Sequence, residues 1–266
     1  MWTRIRMEEK RMNKIELQPM PVRTQPLNRL ARKGNGLSER GHPSPRRLAR
    51  LLYITCNLER VRLSRSLTVG SEFINEYQRY HPGDEIHFLD LYRDNIQRID
   101  TDVIAGYKKM LSGEPPAALT FDEQRKIVSI SRFVDRFISF DKYVPVISTW
   151  NLELQSKFKL YAELYSELKM YIDTVYVPGK AYKYTPVGTK MLLKNMGKKC
   201  LLIRSTDGLN YEKEEDLCLL QFSSVMAFIG IEAFTNIVVR GPDAIPEAEE
   251  VSREDINNAR SVAALF

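Results

Sequence analysis

The run Leu51-Leu52-Tyr53-Ile54-Thr55-Cys56, continuing into Asn57-Leu58-Glu59-Arg60-Val61-Arg62-Leu63-Ser64-Arg65-Ser66, decides the fold. Six apolar or β-branched residues without polar alternation are what a parallel strand buried on both faces requires. The serines open a segment, residues 64–79, in which Leu67, Phe73, Ile74 and Tyr77 recur at helical spacing. A buried strand therefore leads through a short polar loop into an amphipathic helix.

The same alternation continues. His81-Pro82-Gly83-Asp84 breaks the helix, and Ile86-His87-Phe88-Leu89-Asp90-Leu91 reads as a second strand. Residues 101–112 and 120–138 are helical, the latter with Ile127, Ile130, Phe133, Val134 and Phe137 on its inner face. Tyr143-Val144-Pro145-Val146-Ile147 is the third strand, although an internal proline suits a central strand poorly. A helical stretch over 152–172 follows, then a turn-rich excursion through Gly179 and Tyr182–Gly188. Cys200–Ile203 and Asn236–Val239 supply strands four and five. Helices over 213–229 and 252–264 flank the last strand, Ser252 serving as cap of the final one. Five strands alternating with helices predict an α/β fold: a doubly wound five-stranded parallel sheet with helices on both faces. In such a sheet a ligand binds at the carboxyl ends of the strands, which directs attention to the loops after strands one, three and four.

Composition bounds the rest. The 266 residues are 43% hydrophobic and 28% charged, enough for one sizeable core. Apolar runs of six to eight residues are too short for a membrane-spanning helix, so no membrane partner is expected. Cys56, Cys200 and Cys218 form no C-x-x-C pair, which argues against a disulfide framework or zinc ribbon and for a reducing, cytoplasmic setting. Histidines at 41, 81 and 87 leave little for a metal site, and none is expected.

The net charge of +6 separates sharply along the chain. Residues 1–50 hold 13 basic against 4 acidic side chains, a net of +9, and the remainder holds 27 against 30, a net of −3. The basic balance therefore belongs to the first fifty residues, and whole-chain charge is no argument for a nucleic-acid partner. With five of the thirteen prolines and no sustained period, residues 1–49 read as a basic, disordered N-terminal extension to a folded domain at 50–266. A basic arm for nucleic acid or anionic lipid and an Arg-rich targeting segment are the functional alternatives. Glu8, Glu9 and Glu16 and the lack of an apolar signal core argue against targeting.

The first loop lacks both Gly-x-Gly-x-x-Gly and a Walker lysine, which argues against a dinucleotide or ATP cradle. Its hydroxyls at 64 and 66 stand where a helix begins, where outward N–H groups and the helix dipole favour an anion; Arg60, Arg62 and Arg65 add charge. Spacing alone leaves a phosphate site and a simple helix cap equally open. After strand three, Trp150 beside Asn151 can stack on a flat ring while the amide addresses its polar edge, or can be a core tryptophan beside an Asn turn. Arg204-Ser205-Thr206-Asp207-Gly208, after strand four, can present backbone amides to a heterocycle or form an ordinary turn.

Taken together with several local strings, these loops resemble those of the FMN-dependent NADH:quinone oxidoreductases, or azoreductases, over residues 50–266. The strings are His81-Pro82-Gly83-Asp84 before Leu89-Asp90-Leu91-Tyr92, Trp150-Asn151-Leu152, Tyr171-Ile172-Asp173, Gly179-Lys180-Ala181-Tyr182-Lys183-Tyr184-Thr185 and Phe228-Ile229-Gly230. The resemblance implies a flavodoxin-like fold and FMN as tightly bound cofactor. It also implies NADH or NADPH as co-substrate and a quinone or azo compound as acceptor in a ping-pong cycle. The flavin does the chemistry, so no catalytic side chain is assigned. A homodimer with each flavin near the subunit interface is implied as well. By the same resemblance Ser64, Arg65 and Ser66 form the phosphate loop. Thr149, Trp150, Asn151 and Leu152 lie beside the flavin ring, and Ser205, Thr206, Asp207 and Gly208 form the turn at its polar edge.

The chain departs from the family pattern at three places. Ser148 stands for a proline before the ring loop, and Thr206 and Asp207 replace Arg and Gly in the S-R-G-G turn. A carboxylate at 207 near the flavin's N1–O2 edge would disfavour the anionic reduced flavin. The chain is also longer than the pattern by about eleven residues, some three helical turns, between Leu152 and Lys169. Segment 153–168 reads as an ordinary amphipathic helix, or as a lid or altered dimer contact. The alternative function is a flavodoxin-fold dimer that binds or scaffolds without redox activity.

Overall fold

In chain order the elements are β1 (Arg50–Cys56), α1 (Arg65–Tyr80), β2 (Glu85–Asp90), α2 (Thr101–Leu111), α3 (Phe121–Ile138), β3 (Lys142–Ile147), α4 (Ser166–Val175), β4 (Tyr182–Thr185), β5 (Gly188–Met191), β6 (Lys199–Thr206), α5 (Leu217–Ile229), β7 (Ala233–Arg240) and α6 (Arg253–Leu265). The computed structural model describes residues 48–58, 64–147, 165–206, 217–240 and 253–266. The chain divides into Met1–Ser44 and Pro45–Phe266, and the first of these lies outside the described residues. So do the Ser252 cap and the part of the expected 152–172 helix that precedes Tyr165.

The main sheet is all parallel, in the order β2-β1-β3-β6-β7. This is the five-strand doubly wound arrangement. Side-chain alternation divides the core into two layers. Leu52, Ile54 and Cys56 of β1, with Cys200 and Leu202 of β6, face α3, α4 and α5; Phe137, Leu168, Tyr171 and Phe222 pack there. Leu51 and Tyr53, with Leu201 and Ile203, face α1 and α6, where Phe73, Tyr77, Ala259 and Phe266 pack. Gly70 lets α1 lie close on the sheet, since a Cβ there would collide with the Tyr53 hydroxyl.

Two expectations need adjustment. β3 is central and buried at every position despite Pro145. Its register with β1 runs through Ile54↔Pro145, whereas its pairing with β6 is made at Lys142, Tyr143, Val146 and Ile147. The missing proline N–H thus falls in a gap of one ladder, and burial of the flanking valines holds the strand in place. The excursion at 182–188 is a hairpin: β4 and β5 pair antiparallel, closing through Thr185↔Gly188, with Gly188 at φ 125°.

The amino ends of the strands are held by a buried polar cluster. The Asp84 carboxylate accepts from the Tyr77 hydroxyl at 2.5 Å and the Ala49 amide at 2.9 Å, and lies 3.5 Å from the Lys142 ammonium. Lys142 also donates to the Tyr77 oxygen at 2.7 Å. Burial pushes the Asp84 carboxyl upward, but the Tyr77 and Ala49 hydrogen bonds and Lys142 outweigh it and leave it below the usual carboxylate range. A carboxylate depressed in the folded state contributes stability that is complete above its unfolded value and is lost as pH falls through its folded value. Removing one member of a buried ion pair costs about 3 kcal/mol or more. Asp84→Asn is therefore expected to lower the urea-derived stability by about 3 kcal/mol at pH 7. The loss relative to wild type should shrink as pH drops below 4, because the wild type then sheds the same interaction.

Candidate functional site

The connections set the location. From β1 the chain crosses through α1 to β2 on one side, and from β3 it crosses to β6 on the other. A crevice therefore opens at the carboxyl ends of β1 and β3, where open α/β sheets bind ligands. Cys56, Ile147 and Thr206 end the three strands that border it.

Ser64 is the N-cap of α1. Its hydroxyl accepts from the Leu67 amide at 3.3 Å and from Asn57 Nδ2 at 2.6 Å, and stands 3.2 Å from the Ser66 hydroxyl. Asn57, Ser64 and Ser66 are all buried. A serine hydroxyl can accept two hydrogen bonds and donate one, so capping a helix does not use its whole capacity. Cap and anion site are thus compatible roles for one hydroxyl. No acidic residue occupies the first turn of α1, so the N-terminal N–H groups and the helix dipole act without an opposing carboxylate. Arg65 is half-buried in that turn. Hydroxyls, an amide and a helix N-terminus form a donor set suited to a phosphate.

The remaining sequence-based candidates divide. Ser205 is fully buried near the end of β6, on the side of Leu201 and Ile203 that faces α1 and α6. Thr206 closes the strand, opposite Arg240 of β7. Thr149, Trp150, Asn151, Leu152, Asp207 and Gly208 lie outside the described residues. The structure therefore brings Ser64 and Ser66 together and leaves the ring-loop and turn assignments as expectations.

Sequence reading missed three features. The first is Asn57, whose amide braces Ser64; a polar residue directly after a buried strand was the available signal. The second is a clasp that joins the end of β1 and the turn after β2 to the start of α4. The Cys56 thiol accepts from the Leu168 amide, and Tyr92 hydrogen-bonds Glu167. Burial, reinforced by the Glu167 charge and opposed by that amide, pushes the Cys56 thiol up to about 12. Burial likewise raises the Tyr92 hydroxyl, with Cys56 and Glu167 adding to it. The third is the burial of Arg204, which the sequence places in the loop after strand four and which instead lies within β6, 4% exposed beside Ile147 in the β3–β6 register.

Among the described residues no group of three or more His, Cys, Asp or Glu side chains could hold a metal ion, and no helix is long and apolar enough to cross a membrane. Cys56, Cys200 and Cys218 are free and buried.

Comparison with known proteins places this geometry. A family model described as the flavodoxin-like fold matches residues 49–262. The FMN-dependent NADH:quinone oxidoreductase of Geotalea uraniireducens is 50% identical over 220 residues, covering 82% of this chain and 100% of its own. That of Trichlorobacter lovleyi is 48% identical with the same coverage. Among solved structures, an azoreductase from Bacillus anthracis superposes with a TM-score of 0.68 at 25% identity, over 82% of this chain and 100% of that one. A FMN-dependent NADH-azoreductase from the same species, in complex with FMN, gives 0.69 at 22% identity over 82% and 99%, a likeness of fold alone.

Loss of the cap leaves the Asn57 amide and the Leu67 N–H without their acceptor, a change worth about 1–2 kcal/mol. Ser64→Ala is expected to lose that much in urea denaturation. The three thiols should resist an aromatic disulfide reagent in native protein and react fully once it unfolds, because burial disfavours the thiolate. Rapid native labelling would contradict the packing at Cys56 and Cys218.

Proposed function

The chain belongs to the FMN-dependent NADH:quinone oxidoreductase family, of flavodoxin-like fold, and from this we propose that it binds FMN and transfers electrons from NADH or NADPH to quinones or azo compounds in a ping-pong cycle. The observation that carries the reading is the buried Ser64–Ser66 hydroxyl pair at the N-terminus of α1, at the β1/β3 crevice. Its donors fit a phosphate, and a flavin mononucleotide anchored there by its phosphate would extend along the carboxyl ends of the sheet.

In this reading Ser64, Arg65 and Ser66 hold the phosphate, with Asn57 fixing the Ser64 rotamer. Thr149, Trp150, Asn151 and Leu152 lie along the ring, the indole excluding water and the Asn amide addressing a polar edge. The backbone at Ser205, Thr206, Asp207 and Gly208 meets the pyrimidine side. FMN, when bound, supplies the hydride and electron transfer, so the protein's contribution is anchoring, orientation and electrostatics. Phosphate anchoring by hydroxyls, backbone N–H groups and Arg65 places the ring without a side-chain acid or base in the transfer itself.

Two further parts belong to the proposal. One is a homodimer, for which Ile104, Leu111 and Phe121 on α2 and α3, all exposed in the single chain, supply apolar surface. A cytoplasmic setting is supported by three unpaired thiols.

Purified protein should be yellow, or become so on adding FMN, and bleach with NADH or NADPH under anaerobic conditions. Colourless protein that takes up no FMN would support the non-redox dimer that Ser148 and Asp207 favour. Asp207→Gly, which removes a carboxylate from the proposed pyrimidine turn, is expected to tighten FMN severalfold in a fluorescence-quenching titration. Unchanged or weaker binding would remove Asp207 from the site.

A further inference from the structure

Arg204 is the one described residue at the carboxyl ends of β1, β3 and β6 that combines a permanent charge with near-complete burial. It sits at 4% exposure, two residues before β6 ends, registered against Ile147 of β3 on one side and Val238 of β7 on the other. Alternation along β6 puts it on the face of Cys200 and Leu202, toward α4 and α5 rather than α1. Its charge reaches Cys218 in the first turn of α5 and opposes the upward push of burial on that thiol. A guanidinium never gives up its proton in a protein, so the cost of withholding it from water is permanent. The other buried polar residues nearby, Asn57, Ser64, Ser66 and Ser205, are neutral, and the charged Arg65 and Arg93 at this end are half-buried and exposed.

We infer that Arg204 sets the reduction potential of the bound flavin, by holding a fixed positive charge at the carboxyl end of the strand that leads into the pyrimidine-side turn. The inference rests on the FMN reading above and goes beyond it. A hydride from NADH brings the flavin two electrons and one proton, leaving negative charge at the N1–O2 edge until a second proton arrives. A buried cation on that side stabilises the reduced form over the oxidised one and raises the potential. The competing account is purely structural: Arg204 would tie down the acid-rich segment 207–216, with Asp207, Glu212, Glu214, Glu215 and Asp216. That role would alter stability and leave the potential unmoved.

The test uses the full chain reconstituted with FMN. It compares wild type with Arg204→Gln and Arg204→Met, the second being an apolar side chain of similar length that a buried arginine site tolerates well. The oxidised-FMN dissociation constant is read by fluorescence quenching, the two-electron potential against a reference dye, and folding by thermal melting. Loss of the charge is expected to weaken reduced FMN about tenfold more than oxidised FMN, which is a potential lower by about 30 mV. Arg204→Lys should recover most of the difference. A folded Gln or Met variant with the wild-type potential overturns the assignment while leaving the flavin reading standing. Wild-type protein that takes up no FMN overturns the flavin reading and this inference with it.

Discussion

The Ser64 hydroxyl is the contact on which the crevice depends. It joins the residue after β1, through Asn57, to the first turn of α1, through Leu67 and Ser66. All of these groups but the Leu67 amide belong to buried polar residues, and a buried polar group without a partner costs more than its hydrogen bond returns. Closing the network therefore adds to the apolar packing that seats α1 against β1, by about 1–2 kcal/mol through Ser64. Closing it fixes the direction of the helix N-terminus, and hence of the N–H groups and dipole an anion would meet. Fold and site are specified by the same oxygen, which explains why a cap and a phosphate anchor need not be alternatives.

How much of this was legible in the sequence follows from what each pattern measures. Leu51–Cys56 and Cys200–Ile203 are readable because burial on both faces leaves no room for polar alternation. β6 and β7 extend beyond their apolar centres because ladder bonds, rather than side chains, carry the ends. The β4–β5 hairpin was missed for the opposite reason: Tyr182–Thr185 and Gly188–Met191 stay largely exposed, so no periodicity marks them. Of the site, Ser64 and Ser66 show a local signature that spacing exposes. Arg204 does not, since an arginine closing an apolar run reads as the solvated end of a strand. The Tyr77–Asp84–Lys142 cluster joins residues 65 apart, beyond the reach of any local pattern.

The two ends of the sheet divide the electrostatic work. At the amino ends, Asp84 meets Lys142 and Tyr77, Lys198 donates to the Ile138 carbonyl at 2.7 Å at the end of α3, and Lys199 reaches the Phe266 carbonyl at 3.1 Å. Each of these charges answers a partner that folding itself supplies, including the negative end of a helix dipole. At the carboxyl ends Ser64 stands among neutral hydroxyls and an amide, Arg93 pairs with Asp90 at 2.7 Å and reaches the Asn57 carbonyl, and Arg204 is the buried charge.

This division explains how the chain can depart from the family pattern where it does. Thr206 is the last residue of β6, and Ser148, Asp207 and the longer segment after Leu152 fall in the connections that follow β3 and β6. A polar change there does not strike the ion pairs that hold the amino ends together. Its free-energy effect falls on whatever the crevice binds, because loops on a rigid sheet can vary without repacking either core layer. On the proposed flavin reading, a carboxylate at 207 bears on ligand affinity first and on stability only second, and a change of charge in these connections leaves both core layers untouched.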